Sequence, residues 1–217
     1  KIRSTIASAY QSKTSAQARI IALTAILKLR QICLSPQLLI SSHTDPSPKL
    51  DFLHERLKEL LDEGHSALVF SQFTSFLDLA EQAFHVHGIP HVRLDGSTPT
   101  PTRKKLVHEF QEGDTPSIFL LSLKAGGQGL NLTKASYVFH LDPWWNPAVE
   151  NQASDRAHRI GQKQKVLIMR LLMRHTIEEK MMELKLQKVE LYHAVLTGAA
   201  HRGGGGLTKK DFDFLMG

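Results

Sequence analysis

Five short apolar runs, separated by segments of helical periodicity, constrain this chain more than any other feature. They are SALVFSQF (66–73), HVRLDG (91–96), SIFLLSL (117–123), YVFHLD (137–142) and KVLIMRLLM (165–173). SALVFSQF reads as a buried strand bounded by polar residues. Leu50, Leu53, Leu57, Leu60 and Leu61 mark an amphipathic helix stopped by Gly64, and Phe76, Leu77, Ala80 and Phe84 mark a second between Thr74 and Gly88. A third helix is predicted over about 101–112. Strands that alternate with helices predict an α/β fold, a parallel sheet covered on both faces.

The flanks are helical. From about 16 to 40 the chain, including ARIIALTAILKLRQICLSPQLLI, is apolar over much of its surface and broken at Pro36, and HTDPSP (43–48) is a turn-rich linker. A long helix is predicted over about 175–197, with Ile177, Met181, Leu184, Leu191 and Val195 available for docking. Gly203 to Gly206 form a tether to LTKKDFDFLMG, a short helix whose apolar side is Phe212, Leu215 and Met216. The expected organisation is 1–48, 49–174 and 175–217. The sequence opens at Lys1 in mid-pattern, as expected of part of a longer polypeptide.

At 217 residues, 41% hydrophobic and 22% charged, the chain can bury a substantial core. No apolar run is long enough to span a bilayer. The single Cys33 excludes an internal disulfide, and the net charge of +6 makes a polyanion a plausible partner.

In an open parallel sheet, ligands gather beyond the carboxyl ends of the strands. Polar segments directly follow four of the predicted strands: Ser71-Gln72-Phe73, Asp95-Gly96-Ser97-Thr98, Ser122 to Leu132, and Asp142 to Asn146. In SLKAGGQGLNL, Gly126, Gly127 and Gly129 let backbone amides approach a phosphate or sugar, and Lys124 adds charge. No GxxxxGK[ST] loop occurs, so the lysine and backbone cradle that hold nucleotide phosphates are missing. Asp62-Glu63-Gly64-His65 spells DExH but ends a helix, whereas a metal-binding carboxylate pair belongs at the end of a buried strand. No metal site is expected from the twelve histidines: His85 and His87 lie two apart on a helix, on different faces, and Cys33 has no partner at ligand spacing. There is no GxSxG elbow either, so a self-contained hydrolase is not expected.

NQASDRAHRIGQ (151–162) reads as a helix, with Asn146-Pro147 as its start and Gly161 as its stop. Val149, Ala153, Ala157 and Ile160 form a narrow packing face. Gln152, Arg156 and Arg159 line a second row about a quarter-turn away. Guanidinium groups stay charged and fork onto phosphate oxygens, so a rigid presentation of two of them suits phosphoryl transfer. The alternative is a surface helix whose arginines pair with Asp155 or Glu150.

Taken in order, VFSQF, RLDGST, LLSLKAGGQGLNL, DPWWNP and QASDRAHRIGQ resemble the second RecA-like lobe of the Swi/Snf family of superfamily-two DNA-dependent ATPases. The resemblance covers about 50–175; LRQICLSPQLL is similar to the family's helical insertion and the helix after 175 to its brace. It implies that Arg156 and Arg159 are arginine fingers, with Gln152 in the same motif. By the same resemblance Gly127, Gln128 and Gly129 lie near the nucleotide sugar. Ser71, Gln72, Gly96, Ser97, Ser122 and Lys124 would grip a DNA strand through its phosphates, and Trp145 would sit at the DNA. The implied cofactor is ATP with magnesium, held mainly by a first RecA-like lobe upstream of Lys1. Without that lobe this stretch alone is expected to turn over no ATP. The implied partners are double-stranded DNA and the first lobe, with no membrane, and the location is cytoplasmic at the nucleoid in a prokaryote or nuclear in a eukaryote. Rival expectations are the second lobe of an RNA helicase, against which IGQ and Trp144-Trp145 weigh, a non-catalytic DNA-binding or regulatory module, and a structural interaction domain.

Overall fold

The computed structural model describes residues 15–126, 130–144, 147–159, 161–162, 164–196 and 209–216. The chain divides into two compact units, one drawn from the segments before Leu34 and from Met173 onward, the other formed by Leu34–Leu172.

In the larger unit, Leu34 closes helix α1 (Ser15–Leu34), and Pro36 begins a 3-10 turn (Pro36–Leu38), so the chain breaks where proline predicts it. Helix α2 (Pro48–Asp62) starts at Ser47, whose hydroxyl accepts the Leu50 N–H at 3.4 Å and donates to Leu34 O at 2.5 Å. It ends in a Schellman turn: His65 N–H donates to Leu60 O at 2.8 Å, Gly64 N–H donates to Leu61 O at 3.0 Å, and Gly64 takes φ +83°. The DExH string is therefore a helix terminus, as its position predicts. Helix α3 (Thr74–Val86) ends the same way, with Ile89 N–H on Phe84 O at 2.9 Å, Gly88 N–H on His85 O at 3.3 Å and Gly88 at φ +65°.

Five strands form one sheet in the order β2-β3-β1-β4-β5, every pair parallel: β1 (Ser66–Ser71), β2 (His91–Leu94), β3 (Ile118–Ser122), β4 (Ala135–His140) and β5 (Leu167–Arg170). Successive side chains point to opposite faces, and each face has its own core. Ala67, Val69, Ile118, Leu120 and Phe139 pack with Leu53, Leu57 and Leu60 of α2 and with Phe76, Leu77, Ala80 and Phe84 of α3. Leu68, Phe70, Phe119, Leu121 and Val138 pack on the other side with Phe110 of α4 (Thr100–Glu112) and with Ala153 of the helix after β4. The expected two-faced parallel sheet is what forms. β5 is shorter than predicted because it is an edge strand, with Leu167 and Ile168 exposed.

Lys49 is buried, and its ammonium donates to Leu141 O at 2.6 Å and Leu171 O at 3.0 Å. It thereby ties the start of α2 to the residues that follow β4 and β5.

In the smaller unit, α1 buries Ala22 and Ile26. Thr176 caps the helix Ile177–Leu196, accepting the Glu178 N–H at 3.2 Å, and Ile177, Met181 and Leu184 are its buried apolar positions among the described residues. The helix Lys209–Met216 packs against it with Leu215 buried. The side chains of Leu191, Val195, Phe212 and Met216, and the tether Gly203 to Gly206, lie outside the described residues.

Candidate functional site

Parallel strands deliver the segments after β1, β2, β3 and β4 to a single edge of the sheet. Asp142, buried after β4, joins two of them. Its Oδ1 accepts the Ser71 hydroxyl at 2.6 Å and the Gln72 N–H at 3.2 Å, and Oδ2 accepts the Gln72 side-chain amide. The Ser71 hydroxyl in turn accepts Phe73 N–H at 3.1 Å, so it is wholly inside the fold while Gln72 is half-buried beside it.

After β2, Asp95 organises the next segment. Its Oδ1 accepts the Ser97 hydroxyl at 2.6 Å and the Ser97 N–H at 2.9 Å, and Oδ2 pairs with Arg93 at 3.0 Å. The Ser97 hydroxyl bond is the main reason its carboxyl lies below the usual range; burial opposes, and the Ser97 amide and Arg93 add to the lowering. Arg103 of α4 donates to Thr98 O at 2.8 Å and Asp95 O at 3.1 Å, which stiffens the turn from behind. Gly96 and Ser97 are left exposed at its tip, and a Cβ built on Gly96 meets nothing within 4 Å. After β3, the Ser122 hydroxyl accepts Ala125 N–H at 3.3 Å and caps the short helix α5 (Leu123–Gly126), on which Lys124 is exposed. Gly127, Gln128, Gly129 and Trp145 lie outside the described residues.

The arginines sit differently from the sequence expectation. Helix α6 (Pro147–Ser154) stops after eight residues, so Gln152 is helical and exposed whereas Arg156 and Arg159 belong to the turns that follow. The reason lies in competition for carbonyls. Arg156 N–H donates to Ala153 O at 3.2 Å and Ala157 N–H to Ser154 O at 3.1 Å, tightening the ladder to i, i+3. The Arg156 carbonyl is taken by Leu132 N–H at 3.0 Å, and the Ala157 carbonyl by the Gln162 side-chain amide at 3.0 Å. The same Gln162 amide reaches Thr133 O and Ala135 O, each at 2.9 Å, so one side chain clamps the arginine turn to the segment entering β4.

The base of this turn is fixed by buried polar groups. Glu150 accepts Trp144 N–H at 2.7 Å and pairs with Arg170 Nε at 3.2 Å. His140 Nε2 meets the Ser154 hydroxyl at 2.9 Å while its ring stacks on Phe70. Ala153 and Ala157 pack into the core as their small size predicts. Arg156 itself is 2% exposed, and its Nε and Nη1 have no hydrogen-bond partner among the described residues. Burial first, and the Arg159 charge second, hold its guanidinium below the ordinary value, with Asp155 acting in the opposite sense. A guanidinium stays charged even so. Arg159 is exposed.

Thus Ser71 and Gln72 are joined directly to the segment after β4, while Gly96, Ser97 and Lys124 reach the same edge on separate turns. Arg156 and Arg159 share a turn anchored at the entrance to β4. Sequence reasoning missed Asp142 and Gln162 as the organisers. A polar residue just past a strand was the available signal for Asp142, and the only hint of Gln162 was its place in the IGQ ending.

A family model, the helicase conserved C-terminal domain, matches residues 49–161, more than half of the chain. The chromatin-remodeling ATPase INO80 of Neurospora crassa is 44% identical over 161 residues, covering 74% of this chain and 8% of that protein. Among solved structures, the C-terminal domain of the Sulfolobus solfataricus SWI2/SNF2 ATPase is 27% identical, with a TM-score of 0.76, covering 99% of this chain and 89% of that one. The Sulfolobus solfataricus SWI2/SNF2 ATPase core in complex with double-stranded DNA is 29% identical, with a TM-score of 0.75, covering 91% of this chain and 42% of that one. The chain spans 8% to 17% of the length of the curated relatives it matches. Five parallel strands in this order, the motifs at their carboxyl edge and the extent of these matches lead to one conclusion: the chain belongs to the helicase conserved C-terminal domain family, as a RecA-like lobe of Swi2/Snf2 type.

Proposed function

We propose that this chain is the second motor lobe of an ATP-driven translocase or remodeller on double-stranded DNA, working with a first RecA-like lobe of the same polypeptide. The proposed organisation is a helical insertion and linker over 1–48, the lobe over 49–174, and a brace helix and tail over 175–217. Arg156 and Arg159 act as arginine fingers toward ATP held by the first lobe, with Gln152 beside them. The observation that carries this reading is the Arg156 guanidinium, buried with Nε and Nη1 unpartnered among the described residues. A buried cation lacking acceptors is costly, and phosphate oxygens entering from a neighbouring lobe would offset that cost. Arg159, exposed beside it, supplies the second charge.

Closure of the lobes on ATP and their release after hydrolysis would move the protein along one strand. Grip would come from Gln72, Gly96, Ser97 and Lys124 at the carboxyl edge, with Gly127, Gln128, Gly129 and Trp145 in the adjoining segments. Ser71 and Ser122 would act from within, through the hydrogen bonds that set Gln72 and α5. Phosphate contacts of this kind fix register without reading sequence. Magnesium finds no place among these residues: Asp95 is engaged by Ser97 and Arg93, and Asp142 by Ser71 and Gln72, so the reading assigns the ion to the first lobe.

The test is ATP turnover by the full-length protein, alone, with duplex DNA and with duplex RNA. Stimulation by DNA is expected, and Arg156→Ala or Arg159→Ala should lower turnover by about 10³-fold or more while leaving DNA affinity within a few-fold. Unchanged turnover in both variants removes the assignment. Stimulation by RNA instead of DNA would favour the helicase alternative.

A further inference from the structure

His85 and His87, two apart on one helix, face different ways, and no metal site is expected from that spacing. Folding supplies a different neighbour. Glu81 and His85 lie four residues apart on α3, hence on the same face. The Schellman turn at Gly88 then reverses the chain so that His91, the first residue of β2, returns beside them. One ligand atom from each of the three lies within 4.8 Å of the others. The His85 and His91 rings approach to 4.7 Å between centroids.

We propose that Glu81, His85 and His91 form a binding site for a divalent transition-metal ion of the zinc class. Three features beyond proximity support it. His91 Nδ1 lies 2.8 Å from Ile89 O; a carbonyl only accepts, so Nδ1 carries the proton and the neutral ring keeps the Nε2 lone pair for a metal. The buried Phe84 packs against the His91 ring at 72°, with centroids 5.4 Å apart, which limits the ring's rotation. The Glu81 Oε2 is steadied by Arg93 Nη1 at 2.7 Å, leaving Oε1 as a ligand, and Arg93 also pairs with Asp78 and Asp95. Three carboxylates against one guanidinium leave the neighbourhood negative, so a cation is favoured there. Two imidazoles and a carboxylate suit zinc, whose tetrahedral ligands stand about 3.3 Å apart; small rotamer adjustments close the remaining gap and leave a fourth position for water.

The site lies at the amino end of the edge strand β2, away from the carboxyl edge that carries the proposed DNA contacts. An ion there would staple the end of α3 to β2 without touching the motor residues. The experiment is a calorimetric titration of the chelator-stripped full chain with zinc, followed by cobalt(II) absorption to read coordination geometry. One zinc per chain and a tetrahedral cobalt spectrum are expected. His85→Ala, an exposed position whose loss should leave the metal-free melting curve unchanged, is expected to weaken binding at least about 100-fold, and His91→Gln likewise. His54→Ala and His87→Ala, which break the neighbouring tilted ring pair, should bind as the parent does. Parent-like binding by both His85→Ala and His91→Gln, loss confined to the His54 and His87 variants, or no zinc bound at micromolar concentration each overturns the proposal.

Discussion

Lys49 carries more of the sheet's carboxyl edge than its type predicts. Its ammonium fills the acceptors of Leu141 and Leu171, residues that follow β4 and β5 and whose own N–H groups donate to Phe70 O and His140 O at 2.9 Å. Lys49→Met keeps the length of the stem and removes the donors. The buried Leu141 carbonyl left without its partner costs about 1–3 kcal/mol and the part-buried Leu171 carbonyl less, so a loss of roughly 1–4 kcal/mol is expected, read from the urea midpoint. A change below about 0.5 kcal/mol, ordinary for a surface position, would show the two bonds to be incidental. Nothing in the sequence announces this: a lysine in the first turn of an amphipathic helix reads as solvent-facing, and its acceptors lie 92 and 122 positions away.

The elements were legible wherever a local rule decides them. Gly64 and Gly88 end their helices because positive φ is open to glycine, and the apolar runs became strands because each face of the sheet met a helix. Legibility failed where a distant group competes with a local one. The helix over 151–162 is broken by the Leu132 amide and the Gln162 side chain, neither of which periodicity can register. The middle of α2 also meets the end of α3 through His54 and His87, whose rings stand 3.9 Å apart. Burial, then the His87 and Lys58 charges, push the His54 pKa below its ordinary 6.5. The folded chain therefore holds fewer protons on this ring than the unfolded chain, and stability rises with pH across this window. On acidification, stability should begin to fall as pH drops through about 6.5 and stop falling once the folded ring is protonated. His54→Asn is expected to flatten the dependence of melting temperature on pH between about 5 and 7. A slope identical to that of the parent protein would place the pH response elsewhere.

At the scale of the molecule, the proposed DNA surface is polar and lightly charged: Gln72, Gly96, Ser97 and Lys124 include a single lysine, and the Ser97 N–H and hydroxyl are already donated to Asp95. Affinity for duplex DNA should therefore be modest and dependent on counterion release. For about three phosphate contacts, an increase from about 50 to 200 mM salt is expected to weaken binding roughly 40-fold, measured by fluorescence anisotropy. Affinity indifferent to salt would speak for an interaction domain instead. The two units also have an unequal relation to chain order, since the segments before Leu34 and after Leu172 belong together while Leu34–Leu172 is self-contained. At about 5–20 residues per second, a ribosome needs roughly 7–28 s to synthesise the interval between the two halves of the smaller unit. For that interval the helix Ser15–Leu34 waits without the C-terminal segment of its own unit, so the smaller unit is the last to be completed.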